Sequence, residues 1–261
     1  MKPTSTGTDD WNTHWNHYAS AASENPAQNF RHRIIIRFLC GREAGSGMRV
    51  LDIGSGQGDL IKKLSERLSG GRFLGIELSE SGVEISRRKV PSAEFLSADL
   101  LEPPEVLARY HGWATHAACS EVLEHLDDPI GFLRQARKFL HTDAKVVITV
   151  PGGRMSAFDR HIGHRRHFNR SELRALLEQS GFSVDRIYLA GFPFFNLYRL
   201  VVIARGERLV DDVKESNTGW SKTLSIVVMR VFDRLFHLNL LDSPFGWQLV
   251  AVAKNRGEVA K

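Results

Sequence analysis

The segment that most constrains the fold of this chain is a strand that runs directly into a glycine-rich loop and then into a helix. The strand closes with Asp52–Ile53, and Gly54, Gly56 and Gly58 follow at alternate positions before a helical stretch that begins at Asp59. Glycine permits a sharp turn and lets a ligand press against the backbone without a Cβ in the way. The segment predicts a strand–loop–helix unit of an α/β fold, and by itself indicates a nucleotide-like ligand only weakly.

The rest of the chain alternates between strand-like and helix-like stretches from residue 48 onward. Short apolar runs typical of buried strands are separated by amphipathic stretches with helical periodicity. Strands that alternate with helices indicate crossover connections, and therefore a mostly parallel sheet with helices on both faces. We predict an α/β, Rossmann-like fold. Its predicted strands are Arg49–Ile53, Arg72–Ile76, Ala93–Leu96, Trp113–Cys119, Ala144–Val150, Ser183–Ala190 and Gln248–Lys254.

Residues 192–241 interrupt this alternation between the last two predicted strands. They contain two apolar helical stretches, Phe194–Ala204 and Thr223–Leu238, joined by a polar link. We predict a helical insertion that acts as a lid, as part of the substrate site, or as a face for a dimer partner or a membrane. The polar start of the chain is predicted to be mobile. The predicted organisation is a mobile segment 1–24, a domain of residues 25–191 plus 242–256, and the insertion 192–241.

Composition narrows the class of protein. The chain has 261 residues, of which 42% are hydrophobic, enough for one substantial core. Two cysteines exclude a disulfide scaffold and favour a reducing cytoplasm. We expect neither a signal peptide nor a membrane span, because no apolar run reaches the roughly 18 residues that a span needs. The formal net charge of +5 permits an anionic partner without requiring one.

Acidic residues at three strand ends indicate what the glycine loop binds. The loop has G-x-G-x-G spacing instead of the G-x-G-x-x-G of dinucleotide enzymes, whose loop receives a pyrophosphate. Asp52 precedes the loop, and its charge opposes a phosphate but suits an ammonium or sulfonium group. Glu77 closes the second strand, where a carboxylate accepts hydrogen bonds from ribose hydroxyls. Asp99 closes the third strand and suits an exocyclic adenine amine, so the pattern favours a cationic nucleoside-like ligand.

The motifs Val50–Asp59, Gly75–Ser79, Ser97–Leu100 and Cys119–Asp128 resemble those of class I S-adenosylmethionine-dependent methyltransferases, and most closely the small-molecule O-methyltransferases of the ubiquinone-biosynthesis type. The resemblance implies a seven-stranded sheet whose last strand is antiparallel. It also implies S-adenosylmethionine as the cofactor and S-adenosylhomocysteine as the product, bound across the carboxyl ends of the first strands. The cofactor-binding residues that it implies are Asp52, Gly54, Ser55, Gly56, Glu77, Leu78, Asp99, Leu100, Ser120 and Glu121.

Three residues after the fourth predicted strand bear on the chemistry. Glu121, Glu124 and His125 are spaced i, i+3 and i+4, so on a helical turn they would share a face. His125 suits a general base, because imidazole titrates near neutral pH. With the two carboxylates it also suits a divalent metal. The segment resembles a Glu-x-x-Glu-His motif that carries a metal in part of the ubiquinone-biosynthesis and small-RNA O-methyltransferases, and elsewhere only shapes the cofactor pocket.

A second cluster, Arg160–Arg170, is rich in arginine and histidine and contains His164. By the same resemblance His164 is a further candidate metal ligand, and it is equally a candidate general base. The arginines of the cluster suit a phosphate or carboxylate of the substrate, or a plain solvated loop. The candidate bases are therefore His125 and His164, and the candidate metal ligands are Glu121, Glu124, His125 and His164.

The leading part of the chain offers further contacts to the cofactor. Arg31 or Arg33 is a candidate partner for its methionine carboxylate. Trp15 and Tyr18 are candidates to close over it, as leading segments do in similar enzymes.

The predicted function is S-adenosylmethionine-dependent methyl transfer to an oxygen of a small-molecule, sugar or lipid-linked acceptor. One alternative is an RNA methyltransferase, which the positive charge permits although no appended RNA-binding module is apparent. Another is an NAD-dependent oxidoreductase, which the glycine spacing disfavours. We expect a small-molecule partner and no nucleic acid. A homodimer, and contact of residues 192–241 with the inner face of a membrane, both stay open.

Overall fold

The computed structural model describes residues 25–41, 47–205 and 220–257. The predicted mobile segment 1–24, with Trp15 and Tyr18, lies outside these residues, and so does the polar link at 206–219. No helix in the part of the chain that the structure describes has the length and apolar character needed to cross a membrane.

Seven strands form one sheet: β1 Arg49–Ile53, β2 Arg72–Glu77, β3 Glu94–Ser97, β4 Ala114–Ser120, β5 Leu140–Pro151, β6 Phe182–Ala190 and β7 Gln248–Asn255. Their spatial order is β3-β2-β1-β4-β5-β7-β6. The pairs from β3 to β5 are parallel, and β7 runs antiparallel to both of its neighbours. The direction of winding reverses between β1 and β4, where α/β folds form a crevice at the carboxyl ends of the strands. The predicted fold class is confirmed, including the antiparallel last strand.

Helices cover both faces of the sheet: α1 Pro26–Cys40, α2 Asp59–Arg67, α3 Glu80–Lys89, α4 Pro129–Arg137, α5 Ala157–His161, α6 Arg170–Gln179, α7 Phe194–Arg205 and α8 Trp220–Leu235. Several begin where the sequence supplies a capping side chain. Asn25 accepts a hydrogen bond from the Ala27 N–H at the start of α1, and proline occupies the first turn. Ser79 caps α3 through the Gly82 N–H. Short 3₁₀ helices span Glu105–Tyr110, Leu123–His125 and Phe236–Leu238.

The boundary between α4 and β5 differs from the prediction. Apolar periodicity predicts that the helix continues to Leu140 and that the strand begins at Ala144. The helix instead ends at Arg137, and Leu140 already pairs with Ala114 of β4. Hydrogen bonding to a neighbouring strand outweighs a local helical pattern here, because the strand satisfies backbone groups that would otherwise be unpaired beside the sheet.

The sheet is buried on both faces, so its strands carry apolar residues at successive positions. Leu51 and Ile53 of β1 belong to one core layer, and Val50 belongs to the other. Strand β5, between β4 and β7, has the same alternation, with Ile148 in the first layer and Val147 in the second. This double burial holds the carboxyl ends of β1 and β4 in place, and these ends carry the candidate site.

In its described residues, the insertion contains two α-helices, α7 and α8, between β6 and β7. Their inner sides join the second core layer through Phe195 and Phe236, which are 1% and 2% exposed. Phe30 of α1 contacts both rings, with centroid distances of 5.3 and 5.6 Å. The predicted helices are present, although the second changes from α to 3₁₀ geometry after Leu235. The helix pair is thus attached to the sheet domain through α1.

Candidate functional site

A cavity of about 410 Å³ opens at the carboxyl ends of β1, β2 and β4. It lies at the point where the strand order reverses, as the fold leads one to expect. All ten residues predicted to bind the cofactor line it: Asp52, Gly54, Ser55, Gly56, Glu77, Leu78, Asp99, Leu100, Ser120 and Glu121. Of the two candidate bases, His125 lines the cavity and His164 lies behind it, in ring contact with His125.

The glycine loop forms the floor of the cavity. Gly54 and Gly56 have φ angles of 73° and 54°, a left-handed backbone that favours glycine. The N–H groups of Gly54 and Ser55 donate to the Ile76 carbonyl, over 2.8 and 3.1 Å. A Cβ on Gly54 would overlap with the Val122 side chain. The loop is therefore held against the end of β2, and a glycine at position 54 avoids a clash with Val122.

Two buried carboxylates flank this loop. Glu77 accepts hydrogen bonds from the Gly56 N–H (2.8 Å) and the Ser79 N–H (3.1 Å), which fix its orientation. Burial raises the pKa of Asp52 to about 7, and the nearby Glu77 carboxylate adds to the rise. Burial likewise raises the pKa of Glu77. Neither acid forms a salt bridge with any described residue, so this part of the cavity favours a positively charged or hydroxyl-bearing ligand.

An apolar slot adjoins the acids. Leu100 is buried, while Leu78 is 54% exposed, so Leu78 leaves a large apolar surface beside the cavity. Phe132 contributes an aromatic wall. Asp99 lies exposed at the rim, where one of its oxygens accepts a hydrogen bond from the Leu101 N–H over 2.8 Å. An apolar slot with a carboxylate at its edge suits a flat heterocycle that carries an amine.

The end of β4 closes the opposite side. Glu121 has a φ of 56°, an uncommon backbone conformation for a residue other than glycine. Its carboxylate accepts hydrogen bonds from Thr149 (3.1 Å) and Gln248 (2.9 Å) and lies 3.7 Å from the Arg31 guanidinium. Arg31 therefore reaches the cavity. Arg33, the other candidate near the chain start, pairs with Asp233 of α8 instead and does not line the cavity.

The expected helical turn that would place Glu121 beside Glu124 and His125 is not formed. A 3₁₀ helix covers only Leu123–His125, and the left-handed backbone at Glu121 precedes it. Glu121 is directed toward β5 and β7 through its hydrogen bonds, whereas Glu124 is completely buried. The physical reason is a hydrogen bond from the Glu121 N–H to the Thr149 carbonyl of β5. This bond continues the pairing of β4 with β5 by one residue, in place of the expected helical turn.

Behind the cavity, a polar network leads from His125 to α7. The rings of His125 and His164 have centroids 4.8 Å apart, and His164 Nδ1 lies 3.1 Å from His167 Nε2. His167 lies 3.7 Å from Asp159, which pairs with Arg199 of α7 over 2.8 Å. Burial, together with the charges of His125 and His167, lowers the pKa of His164 to about 3. His164 is thus a neutral imidazole at physiological pH.

Two sets of side chains have the spacing of metal ligands. The donor atoms of Glu124, His125 and His164 lie within 4.8 Å of one another, and so do those of Asp159, His164 and His167. Both carboxylate oxygens of Glu124 are buried without a hydrogen-bond partner among the described residues. Burial raises the pKa of Glu124 well above its usual range, with Glu121 adding to the rise. One carboxylate and two imidazoles suit a divalent transition metal.

The arginines of the Arg160–Arg170 segment do not line the cavity; Ile162 is the residue of this segment that does. Arg165 forms a salt bridge with Asp127, and Arg166 donates to the Asp127 carbonyl. Arg170 pairs with Asp242 over 3.0 Å. The hypothesis that these arginines hold a substrate anion receives no support from their positions, because none of them lines the cavity and three of them have partners outside it.

A family model for a methyltransferase domain matches residues 18–187. This range covers the glycine loop, the acidic and histidine candidates from Asp52 to His164, and the network behind the cavity as far as His167. The chain belongs to this methyltransferase family. The likeness to methyltransferases drawn from the motifs is confirmed. No curated protein sequence is similar enough to this methyltransferase to count as a relative.

Proteins with the same fold whose structures have been solved are named for different reactions. The [4+2]-cyclase SpnF superimposes with a TM-score of 0.60 at 14% identity, over 88% of this methyltransferase and 81% of the cyclase. A geranyl diphosphate C-methyltransferase from Streptomyces coelicolor, in complex with Mg²⁺, geranyl diphosphate and S-adenosylhomocysteine, gives 0.55 at 15% identity, over 88% and 78%. Phosphoethanolamine N-methyltransferase 2 from Haemonchus contortus, in complex with S-adenosylmethionine, gives 0.61 at 15%, over 96% and 61%. At such identity the likeness shows the fold alone.

Several residues of the methyltransferase site were not predicted from the sequence. Thr149 and Gln248, which hold Glu121, come from β5 and β7, and no local pattern marks them. Asp159 is different, because it stands three residues after Ser156 and forms a capping box with it. That spacing is readable from the sequence. The pairing of Asp159 with Arg199 is not, because the two residues lie 40 positions apart.

Proposed function

We propose that this protein transfers the methyl group of S-adenosylmethionine to a small-molecule acceptor and releases S-adenosylhomocysteine. The observation that carries the proposal is the pair of buried carboxylates, Asp52 and Glu77, on either side of the glycine loop, neither of which forms a salt bridge with a described residue. Two buried acids oppose a diphosphate and favour a sulfonium with ribose hydroxyls. This also argues against an NAD-dependent oxidoreductase.

The residues present fit the cofactor by shape and by chemistry. Gly54 and Gly56 line the cavity with backbone alone, so the methionine part of the cofactor would lie directly against the loop. Glu77, oriented by two backbone N–H groups, would accept the ribose hydroxyls. The Leu78–Leu100 slot with Asp99 at its rim would take the adenine. Arg31 is proposed to meet the methionine carboxylate, because it reaches the cavity and Arg33 does not.

The catalytic task of the chain is alignment and proton removal. The cofactor, when bound, supplies a methyl group activated by the positive charge on sulfur. The cavity walls would hold an acceptor in line with that methyl group and exclude water, which is where most of the rate gain in such a displacement arises. We propose His125 as the base that accepts a proton from an acceptor hydroxyl, because it lines the cavity. Burial keeps His164 neutral, so it adds no positive charge that would oppose protonation of His125.

The acceptor atom is proposed to be oxygen, because a hydroxyl that accepts the methyl group must give its proton to a base, and His125 lines the cavity where that base is needed. Enzymes of the same fold are named as C- and N-methyltransferases, so fold does not select the atom. An RNA acceptor is disfavoured, since Arg165 and Arg170 pair with acids outside the cavity and none of the arginines of Arg160–Arg170 lines it. RNA binding that weakens steeply with salt would favour that acceptor instead.

A metal-assisted version of the same reaction is favoured by one observation. The Glu124 carboxylate is buried without a hydrogen-bond partner in the described part of the chain, next to His125 and His164. A divalent ion there would satisfy this carboxylate and could hold an acceptor oxygen. Elemental analysis of the purified protein, before and after chelation, distinguishes the two versions. Stoichiometric metal that is lost in His164→Ala favours the metal, and metal-free protein with full turnover favours the base.

The cofactor assignment is tested by calorimetric titration with S-adenosylhomocysteine. Glu77→Ala removes a charged acceptor worth about 1.5–3 kcal/mol per hydrogen bond, so affinity should fall by at least about tenfold. Glu94→Ala is the matched control, because this β3 carboxylate pairs with Arg109 and does not line the cavity. Binding of nicotinamide nucleotides, with no heat from S-adenosylhomocysteine, would contradict the proposal.

A further inference from the structure

The helix pair α7–α8 exposes a set of large apolar side chains. Their exposed fractions range from 40% at Val201 to 66% at Leu238. Isolated exposed apolar residues are common on proteins, but clustered ones mark a contact surface. The set, called here the outer face, comprises Leu197, Leu200 and Val201 of α7, and Val227, Val228, Val231 and Leu238 of α8 and the following turn.

The exposed apolar residues form one stripe on α7 and one on α8, and the two stripes lie on the same side of the helix pair. Phe195 contacts Phe236, and Tyr198 contacts Phe232, so the two helices run antiparallel. On each helix the exposed apolar residue immediately precedes the ring that packs against the other helix: Leu197 precedes Tyr198, and Val231 precedes Phe232. Because the two right-handed helices run antiparallel, residues that are displaced by the same angle from the helix–helix contact lie on the same side of the pair. The stripes therefore form one continuous apolar surface.

In the described part of the helix pair, the unpaired charges that border the outer face have one sign. Arg230 and Arg234 are exposed and form no ion pair with any described residue. Each follows an exposed valine by three positions, so it borders the apolar stripe of α8. The acid in the described part of α8, Asp233, pairs with Arg33 of α1 and is directed inward. The face is thus apolar with a basic margin.

We propose that the outer face docks on the surface of an anionic lipid bilayer. An amphipathic pair of this kind buries its apolar side chains at the boundary between headgroups and acyl chains, while arginines meet anionic headgroups. A second copy of the chain fits less well, because the described part of this face offers no acid to pair with Arg230 and Arg234. The proposal does not depend on the proposed methyl transfer. Arg199 of α7 joins the network behind the cavity, so the docking element is contiguous with the site.

The test is co-sedimentation of the full-length protein with vesicles of phosphatidylcholine mixed equally with phosphatidylglycerol, and with phosphatidylcholine alone. We expect binding to the anionic vesicles at low salt. Arg230→Gln with Arg234→Gln should weaken it by about tenfold or more, because each arginine near such a surface contributes about fivefold. Leu200→Ser with Val231→Ser should weaken it at least as much, at any salt concentration.

Control variants keep these outcomes interpretable. Val106→Ser and Arg88→Gln change an exposed apolar residue and an exposed arginine elsewhere, and should leave vesicle binding unchanged. Absence of binding to anionic vesicles at low salt overturns the proposal, as does binding that neither double variant weakens. A dimer in sedimentation velocity that Leu200→Ser with Val231→Ser dissociates would assign the face to a second copy instead.

Discussion

The cavity at the strand ends and the outer face of α7–α8 both differ from the usual distribution of polar and apolar side chains, but in opposite ways. The cavity buries charged groups, Asp52 and Glu77, which proteins normally leave in water. The outer face exposes apolar groups such as Leu200 and Val231, which proteins normally bury. Each departure costs stability, and each is tolerated where a ligand or partner would remove the cost.

The two regions differ in how firmly they are held. Around the cavity the backbone itself fixes the side chains, as the N–H groups of Gly56 and Ser79 fix Glu77. Among the described residues, the helices of the outer face are held from their inner side, through ring contacts such as Tyr198 with Phe232 and through the ion pairs of Arg199 and Asp233. Substitutions should therefore be costly at the cavity, intermediate where the two regions meet, and nearly neutral on the outer face.

The largest effect is expected from Gly54→Ala. The φ of 73° costs an alanine about 1–2 kcal/mol, and overlap of its Cβ with Val122 adds about 1–3 kcal/mol. We expect a loss of about 3 kcal/mol in the free energy of unfolding, measured in urea, together with loss of S-adenosylhomocysteine binding by calorimetry. Gly112→Ala is the matched control, since its φ is 65° but its Cβ meets nothing within 4 Å. Equal losses in both variants would contradict the steric explanation.

Arg199→Leu acts where the two regions meet. Burial raises the pKa of Asp159, but the Ser156 N–H and the Arg199 guanidinium lower it overall, so the carboxylate is ionised. Removing Arg199 leaves a buried charge with less compensation, and we expect a loss of about 2 kcal/mol in the free energy of unfolding. Because the carboxylate then takes a proton more readily, the loss should shrink as the pH falls toward 4. A loss that stays constant between pH 4 and pH 8 would rule out the electrostatic explanation.

The pH dependence of cofactor binding should report on Asp52. Its raised pKa of about 7 means that the folded protein holds this proton more tightly than the unfolded chain, so its contribution to stability increases as the pH falls through 7. A cation favours the ionised carboxylate. Affinity for S-adenosylmethionine should therefore fall by up to about tenfold per pH unit below 7. Calorimetry on Asp52→Asn should show this dependence lost, and S-adenosylhomocysteine, which lacks the sulfonium charge, should show less of it in the wild type.

The smallest effect is expected on the outer face. Val231→Ser should change the free energy of unfolding by no more than about 0.5 kcal/mol, because the side chain is already 47% exposed. Chemical denaturation measures this directly. A loss above about 1.5 kcal/mol would mean that the valine is covered by another part of the chain, and the contrast with the cavity would then fail.

Much of the fold was readable because its signals are local. The strand-to-helix alternation predicted the sheet, and Asn25-Pro26 predicted the start of α1. Gly54, Asp52 and Glu77 were readable as a group, because parallel strands bring their carboxyl ends to one edge of the sheet. The same locality explains the failures. The helical turn expected at Glu121 gave way to a sheet hydrogen bond from Glu121 to Thr149.

By itself, the order of residues determined the sheet, the glycine loop and the acids beside it, because strand periodicity and glycine spacing act over a few positions. Only the tertiary structure decided which arginine reaches the cavity, that Glu124 is buried with no hydrogen-bond partner among the described residues, and that Asp159 pairs with Arg199. It also decided that the apolar stripes of α7 and α8 share one side. These outcomes depend on distances between segments far apart in the chain, and such distances are set by packing, which no short stretch of sequence encodes.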